Sequence, residues 1–476
     1  MGRKLLVHFL GAAGTVTGSR TLLKFHQFKV LVDCGLYQGP SEMRQLNWES
    51  FPFAKDLDAV VLTHAHIDHS GYLPKLVKEG FKGPIYCTQS TQDLCEIMLV
   101  DSAHLQEEDA HFANRSHHSR HQPALPLYTT ADAIKSLKHF QSRAFNEWHE
   151  LVPGLSVRFL RAGHILGSAI VQFAYEGEHG SRIISFSGDL GNGRSHIIKP
   201  PVPLTETDYL VLESTYGDRV QPREDQIQRV GEIINRVLGR GGTLVVPAFT
   251  VGRTQELLYI IRELESRKII PQVPVYLDSP MALDATQVYL KHPEELQLAA
   301  FGDQQQLQPT LCTTCYEAVR STDDSMLLCM NTTPKVVISA AGMLTGGRIL
   351  HHLKAKLPDP KNAVLFVGYQ AEGTKGLLLK QGLTDIRIHH QQVSVEAEII
   401  SMDSFSAHAD SNDIMAWLKN FKQAPRAVFL NHGEVNALRA LKYRIVNELG
   451  WKVVIPQLDD EFLINGQNKS EVLEKQ

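Results

Sequence analysis

The chain has 476 residues, of which 43% are hydrophobic and 21% charged, with a net charge of −4. That length allows two or three domains and a sizeable core, and no apolar run reaches the ~18 residues of a membrane-spanning helix, so no membrane is expected as a partner. The slight negative charge excludes a global basic field, so any nucleic-acid partner must be held by local phosphate-binding positions and metals.

The elements are taken in chain order. "MGRKLLVHFLGAAG" reads as a first strand running into a Gly-rich loop; its apolar stretch, interrupted by His8, is too short for a secretory signal. Further strands are expected in "FKVLVDCG", "AVVLTH", "GPIYCT", "LSVRFLRAG", "SAIVQFAYEG" and "RIISFSGD". Helices are expected around 68–79, 90–113 and 130–147, and the His-rich stretch 107–129 reads as a helix end and a surface loop. From about 209 the strands become continuously apolar: "DYLVLES", "GGTLVVPAF", "VPVYLDS", "KVVISAAG" and "AVLFVGY". They alternate with helical patterns such as "RTQELLYIIRELES" and "GGRILHHLKAKL", which predicts a parallel sheet covered on both faces. After about 385 shorter strands return in "EAEIISMDSFSAH", "RAVFLNHG" and "KVVIPQ".

The six cysteines suggest no disulfide framework, and a reducing cytoplasm is the simpler expectation. Cys312 and Cys315 form a lone CxxC, read as small buried residues on a helix.

Candidate ligands follow apolar strands. "DAVVLT" delivers His64, His66, Asp68 and His69; "SVRFLRAG" delivers His164; "RIISFSG" delivers Asp189; "RAVFLN" delivers His432. Ligands at strand ends converge on one edge of a sheet, and these seven match two zinc ions with mixed nitrogen and oxygen coordination. Packing would not choose the HxHxDH cluster, and hydrogen bonding alone would leave several of its polar groups unpaired. Other histidines, among them His8, His26, His104 and His111, read as ordinary core or surface residues, and His351, His352, His389 and His390 read as helix or strand-end surface residues.

"THAHIDH", His164, the "SGD" with Asp189 and the late His432 resemble the metallo-β-lactamase superfamily. "LESTYGD" with Glu213, "DSFSAHAD" with His408, "LNHGE" with His432, "PAFTVGRTQELL" and "ISAAGMLTGGRILHHL" are similar to its β-CASP RNA-processing nuclease branch. The set resembles the endonuclease subunit of the pre-mRNA 3′-end cleavage complex and its bacterial homologues. The resemblance implies an α/β fold: an αββα sandwich with an inserted parallel-sheet β-CASP domain. The sequence supports that split, because the parallel-sheet segment lies between Asp189 and His432, both needed at one metal site. The expected domains are 1–208 and 386–476 for the sandwich and 209–385 for the insert.

The resemblance further implies that His64, His66, His164 and Asp189 hold one zinc, and that Asp68, His69, Asp189 and His432 hold the other. It places Asp33 as a partner that fixes a ligand histidine, a plain turn aspartate being the alternative. His408 becomes the general acid, with Glu213 bonded to its imidazole, and Asp68 can orient the attacking water. Ser406 either contacts the scissile phosphate or is a local turn hydroxyl. The loop "AAGMLTGGR", with Gly342 and Gly346, together with Arg253 and Arg348, is expected to grip phosphates.

The expected activity is a zinc-dependent phosphodiesterase that cuts single-stranded RNA internally in the cytoplasm, with homodimerisation left open. A 5′-to-3′ exoribonuclease is the nearest alternative. "SFSAHAD", and a chain that ends soon after its last strand, favour the endonuclease. A small-molecule hydrolase of lactonase or thioesterase type would leave the insert, His408 and Glu213 unexplained. A DNA nuclease tends to lack histidine at the place of His432, and an inactive scaffold would have lost metal ligands.

Overall fold

A computed structural model describes residues 4–116, 123–177, 180–297, 311–368, 370, 373–464 and 473–475. The chain divides into two compact units, one made of residues 1–193, 200–220 and 408–476, the other of 194–199 and 221–407.

The first unit is a sandwich. Its eight-stranded sheet has the spatial order Leu473–Lys475, Glu461–Ile464, Leu5–Phe9, Thr21–Phe25, Phe28–Val32, Ala59–Val61, Ile85–Cys87 and Phe140–Ser142. The facing seven-stranded sheet runs Val453–Val454, Ala427–Leu430, Tyr209–Leu212, Gly180–Phe186, Ala169–Gly177, Leu155–Arg161 and His149–Val152. Strand alternation explains the core. Leu155, Val157 and Phe159 point inward from "LSVRFLR" and meet Val7, Phe9 and Phe25 of the other sheet, with Phe173 and Phe429 beside them. The outer face of the seven-stranded sheet is covered by the helices Ser411–Leu418 and Val435–Arg444, through Ile414, Trp417, Leu438 and Leu441. The helices Leu73–Lys78, Gln89–Ser116 and Thr130–Leu137 pack together beside the other sheet. These layers make the αββα order.

The second unit carries a six-stranded parallel sheet ordered Cys315–Ala318, Pro274–Asp278, Lys335–Ser339, Thr243–Pro247, Ala363–Phe366 and Glu398–Ser401. Its central strands are buried throughout, as in "KVVIS" and "TLVVP", because both faces are covered. The helices Gln226–Gly239 and Arg253–Ser266 pack one face, while the helix Ile349–Lys356 and a small hairpin pack the other.

Several elements differ from the expectation. Strand Tyr209–Leu212 pairs with Gly180–Phe186 and Ala427–Leu430, so it belongs to the sandwich and not to the parallel sheet. Strand Glu398–Ser401 pairs with Ala363–Phe366, which carries the inserted unit on to 407. The third helix stops at Leu137, and the segment that was expected to continue it to 147 contains the strand Phe140–Ser142 instead, with the strand His149–Val152 following. The long helix runs to Ser116, and residues 117–122 of the His-rich stretch lie outside the described residues. The CxxC is not helical: Cys315 is exposed and opens a strand. Among the described residues, no helix is long and apolar enough to cross a membrane.

Candidate metal centre

Strand Ala59–Val61 ends in the loop that carries His64 and His66, and His66 leads into one helical turn, Ile67–Ser70, that carries Asp68 and His69. The turn is anchored from within: the Ser70 hydroxyl donates to the Ala65 and His66 carbonyls at 2.8 and 3.0 Å. It is anchored from outside as well, because the Ser19 and Cys34 N–H groups donate to the Asp68 and His69 carbonyls at 2.9 and 2.7 Å. Gly35 makes this contact feasible. A Cβ there would sit 1.6 Å from the Asp68 carbonyl oxygen, inside its van der Waals radius. His164 is set by Ser168, whose hydroxyl accepts from the His164 N–H at 3.0 Å. His432 stands at φ 51° and is pinned by its N–H to the Ala12 carbonyl and by its carbonyl to the Ser214 N–H.

These residues form two groups of ligand atoms. His64, His66, His164 and Asp189 make one, and Asp68, His69 and His432 the other. Asp189 touches both. Its Oδ2 lies 3.4 Å from His64 Nε2 and 3.5 Å from His164 Nε2, while its Oδ1 lies 3.2 Å from His69 Nε2 and 3.5 Å from His432 Nδ1. Asp68 Oδ2 is 3.7 Å from His432 Nε2.

A divalent cation fits this arrangement on two observations. Asp189 Oδ1 is buried with no hydrogen-bond donor aimed at it, an arrangement that is expensive without a cation. Ring nitrogens also face one another: His64 and His164 each approach His66 Nδ1 to 3.2 Å, and His69 Nε2 lies 3.1 Å from His432 Nε2. Such a pair either shares a proton or turns two lone pairs toward one point, as a bound ion requires. Burial, reinforced by the neighbouring imidazoles, pushes His66 down to about 3 and lowers His64 and His164 too, so these rings are neutral at neutral pH, the form in which an imidazole can bind a cation. His69 behaves oppositely: burial disfavours its charge, but the Asp189 and Asp33 carboxylates outweigh it.

Asp33 follows strand Phe28–Val32 at φ 59° and is buried. Its Oδ2 accepts from His69 Nδ1 at 2.7 Å and the Thr63 hydroxyl at 3.0 Å, and its Oδ1 accepts the Thr63 N–H at 2.8 Å. Ser19 Oγ donates to the same carboxylate at 3.3 Å. The sequence reading missed Thr63, Ser19, Gly35 and Thr215. Thr63 Oγ1 is 3.0 Å from His64 Nδ1, and Thr215 Oγ1 is 3.3 Å from His432 Nδ1. A hydroxyl beside a ligand histidine was visible in "THAHIDH", but only contact across the fold gives it a partner.

His408 joins the same edge without joining either ligand group. A β-bridge pairs it with Gly191, and the Ala409 N–H donates to the Leu190 carbonyl at 2.7 Å. His408 Nδ1 lies 3.2 Å from Glu213 Oε1, and Nε2 lies 3.9 Å from Asp189 Oδ2. Buried Glu213 also accepts the Leu190 N–H at 2.6 Å. Burial opposes charge on His408, yet the Glu213 and Asp189 carboxylates raise it to about 9.

The residues expected to grip phosphate lie in the other unit. Ser406 follows the turn Asp403–Phe405, and its N–H donates to the Asp403 carbonyl at 3.3 Å. Arg253 opens the helix Arg253–Ser266. Gly342 packs on Phe249, and its carbonyl accepts from Gln370 at 2.9 Å, whereas the space around Gly346 is open. Arg348 has a different engagement from a free phosphate contact. Its guanidinium donates to Asp278 at 2.8 Å, the Val319 carbonyl at 3.2 Å and the Arg320 carbonyl at 2.7 Å. His352, expected at the surface, is instead fully buried. Its Nε2 lies 2.7 Å from Asp278 and its Nδ1 3.3 Å from Cys329 Sγ.

The comparisons agree with this geometry. A metallo-β-lactamase superfamily domain matches residues 22–184, a Beta-Casp domain 254–379 and a Zn-dependent metallo-hydrolase RNA specificity domain 392–456. The chain is 38% identical over 437 residues to Ribonuclease TTHA0252 of Thermus thermophilus, covering 90% of this chain and 94% of the relative. It is 33% identical over 457 residues to Transcription termination factor FttA of Methanosarcina mazei, covering 92% and 68%. A crystal structure of a protein of unknown function from Enterococcus faecalis covers 97% of this chain and all of its own at a TM-score of 0.52 and 12% identity, which speaks to the fold alone. The chain belongs to the β-CASP RNA-processing nuclease branch of the metallo-β-lactamase superfamily.

Proposed function

We propose that the protein is an endoribonuclease that cuts single-stranded RNA with two zinc ions. The observation that carries this reading is His408. It is bonded to Glu213, stands outside both ligand groups and points Nε2 toward Asp189. A small-molecule hydrolase of this superfamily has no use for that pair, whereas a phosphodiester needs its leaving oxygen protonated. The relatives named as a ribonuclease and as a transcription termination factor support RNA as the polymer.

His64, His66, His164 and Asp189 would hold one ion, and Asp68, His69, Asp189 and His432 the other. When bound, two such ions supply a lowered water pKa and neutralise charge on phosphate oxygens. The protein's own residues do the rest. Asp33 and Thr63 keep His69 and His64 oriented, and Asp68 orients the attacking water. Glu213 holds His408 charged, and His408 Nε2 gives its proton to the departing oxygen. The loop with Gly342 and Gly346 and the guanidinium of Arg253 hold flanking phosphates, and Ser406 adds a hydroxyl contact. Arg348 keeps that loop stiff through Asp278.

The test uses end-labelled single-stranded RNA, a DNA oligomer of the same sequence, and a nitrophenyl phosphodiester. The zinc-loaded protein should give internal RNA fragments and leave DNA largely intact. His408→Ala should keep two zinc ions per chain and lose roughly 10²–10⁴-fold on RNA, the usual worth of a general acid. The same variant should be far less impaired on the nitrophenyl ester, whose leaving group needs no proton. Processive loss of mononucleotides from the 5′ end would replace the endonuclease with the exonuclease. Efficient lactone or thioester hydrolysis without RNA cleavage would overturn the reading.

A further inference from the structure

The inserted unit carries a group of side chains that the active-site reading does not use. His351 lies on the helix Ile349–Lys356, with Lys354 one turn further on. Lys375 opens the helix Lys375–Lys380. His389 and His390 form the turn of the hairpin that pairs Asp385–Ile388 with Gln391–Ser394. The three histidines are exposed, and the two lysines are half-buried.

Three features make this more than a scatter of surface charge. First, the His351 and His389 rings stack, with centroids 4.5 Å apart and planes 28° from parallel. Second, His389 and His390 occupy both central positions of a two-residue hairpin turn at φ 47° and 63°, where Asn and Gly are the usual residues. Third, basic groups surround His389: burial lowers its pKa, and His351, Lys354 and Lys375 from the packed helices and His390 from its own turn lower it further. Lysines grouped with exposed imidazoles make a surface that a polyanion complements.

The patch is also tied to the Gly-rich loop. Leu344 of that loop shares one small core with Ile349 and Leu350 of the helix, Leu379 of the next helix and Ile388 of the hairpin. A strand of RNA whose phosphate sits at the loop has neighbouring phosphates to place nearby. Single-strand binding surfaces combine cationic side chains with flat rings on which bases stack, and an imidazole pair flanked by lysines offers both.

We propose that His351, His389 and His390, with Lys354 and Lys375, form a subsite for the backbone of single-stranded RNA away from the scissile bond. It rests on the reading of RNA as substrate. Its contribution grows as pH falls and His389 gains charge.

The experiment measures binding of a fluorescein-labelled single-stranded RNA to the zinc-loaded His408→Ala protein, whose slowed cleavage leaves most of the RNA uncut during the measurement. Salt is varied at about pH 6 and about pH 8, on either side of the ordinary imidazole pKa. Adding Lys354→Ala and Lys375→Ala should reduce the slope of log K against log salt by ~0.7 for each phosphate that is no longer neutralised. At 0.1 M salt that corresponds to roughly fivefold in affinity per phosphate, or about 25-fold for two. Replacing His351, His389 and His390 with alanine should abolish the extra tightening between about pH 8 and about pH 6. In the otherwise unaltered protein, the lysine pair should raise KM for RNA at constant kcat. Turnover of the nitrophenyl phosphodiester, which has no neighbouring phosphates, should not change. Equal affinities and salt slopes in parent and variants would overturn the subsite while leaving the RNA reading intact. Failure of the parent itself to bind RNA would overturn both. An unchanged thermal midpoint in each variant separates these outcomes from misfolding.

Discussion

Asp33→Asn isolates the part that orientation plays in metal binding. The carboxylate of Asp33 accepts from His69 Nδ1, the Thr63 hydroxyl, the Ser19 hydroxyl and the Thr63 N–H, all in the interior. The amide is the same size, and asparagine tolerates the left-handed backbone at φ 59°, so neither volume nor strain confounds the change. One amide oxygen can still accept the Thr63 N–H. The other position becomes an NH2 group facing His69 Nδ1, which now has no acceptor for its proton. The ring then loses the bond that directs its Nε2 lone pair toward Asp189 and His432. A hydrogen bond to a charged group contributes about 1.5–3 kcal/mol, and loss of such an orienting partner weakens metal affinity by roughly 10–100-fold. These two ranges overlap, since 10–100-fold is about 1.4–2.7 kcal/mol. Competition against a chromogenic chelator should therefore show one ion held about 10–100-fold more weakly and the other little changed. Wild-type affinity for both ions, with wild-type cleavage, would refute the role given to Asp33.

Other expectations follow from the same geometry. Gly35→Ala drives a methyl group into the Asp68 carbonyl and should displace the turn that carries Asp68 and His69, with loss of metal by elemental analysis and loss of cleavage. RNA cleavage should fall on an alkaline limb, because His408 must be protonated to act and its pKa is raised from 6.5 to about 9. The limb should lie between those values, since cations on Asp189 offset part of that carboxylate's pull, and Glu213→Gln should move it toward acid. The sign for stability is the same: the contribution of charged His408 is complete below 6.5 and is lost as pH rises through about 9. Asp278→Ala leaves the Arg348 guanidinium and buried His352 without their carboxylate and should destabilise the protein by about 3 kcal/mol in urea unfolding.

The candidate ligands were legible because each follows an apolar strand, and a strand end fixes where the next few residues point. His64, His66, Asp68, His69, His164, Asp189 and His432 come together on that logic. Asp33 was reached only through the family resemblance, since it meets His69 across 36 positions, and Ser19 and Thr63 were not legible because they look like ordinary polar residues until the sheet is assembled. His352 was misread because its neighbour His351 is exposed, and adjacent positions on a helix point about 100° apart. The helix expected over 130–147 fails beyond Leu137 because the residues that follow it find strand partners in Ile85–Cys87 and Leu155–Arg161. The unit boundaries also depend on pairing: Tyr209–Leu212 is as apolar as any parallel-sheet strand, but its neighbours lie in the sandwich.

The order of the ligands along the chain bears on how the protein is made. His64, His66, His164 and Asp189 all precede residues 221–407 in the chain, so one candidate ligand group can close before that segment is complete. The other cannot. His432, and His408 with it, are translated only after residues 221–407, and strand Tyr209–Leu212 waits just as long for Ala427–Leu430 beside it. On the proposed reading, a nascent chain lacks the second candidate ligand group, and His408 beside Glu213, until residues 408–432 have been made and have folded back onto the first part of the sandwich.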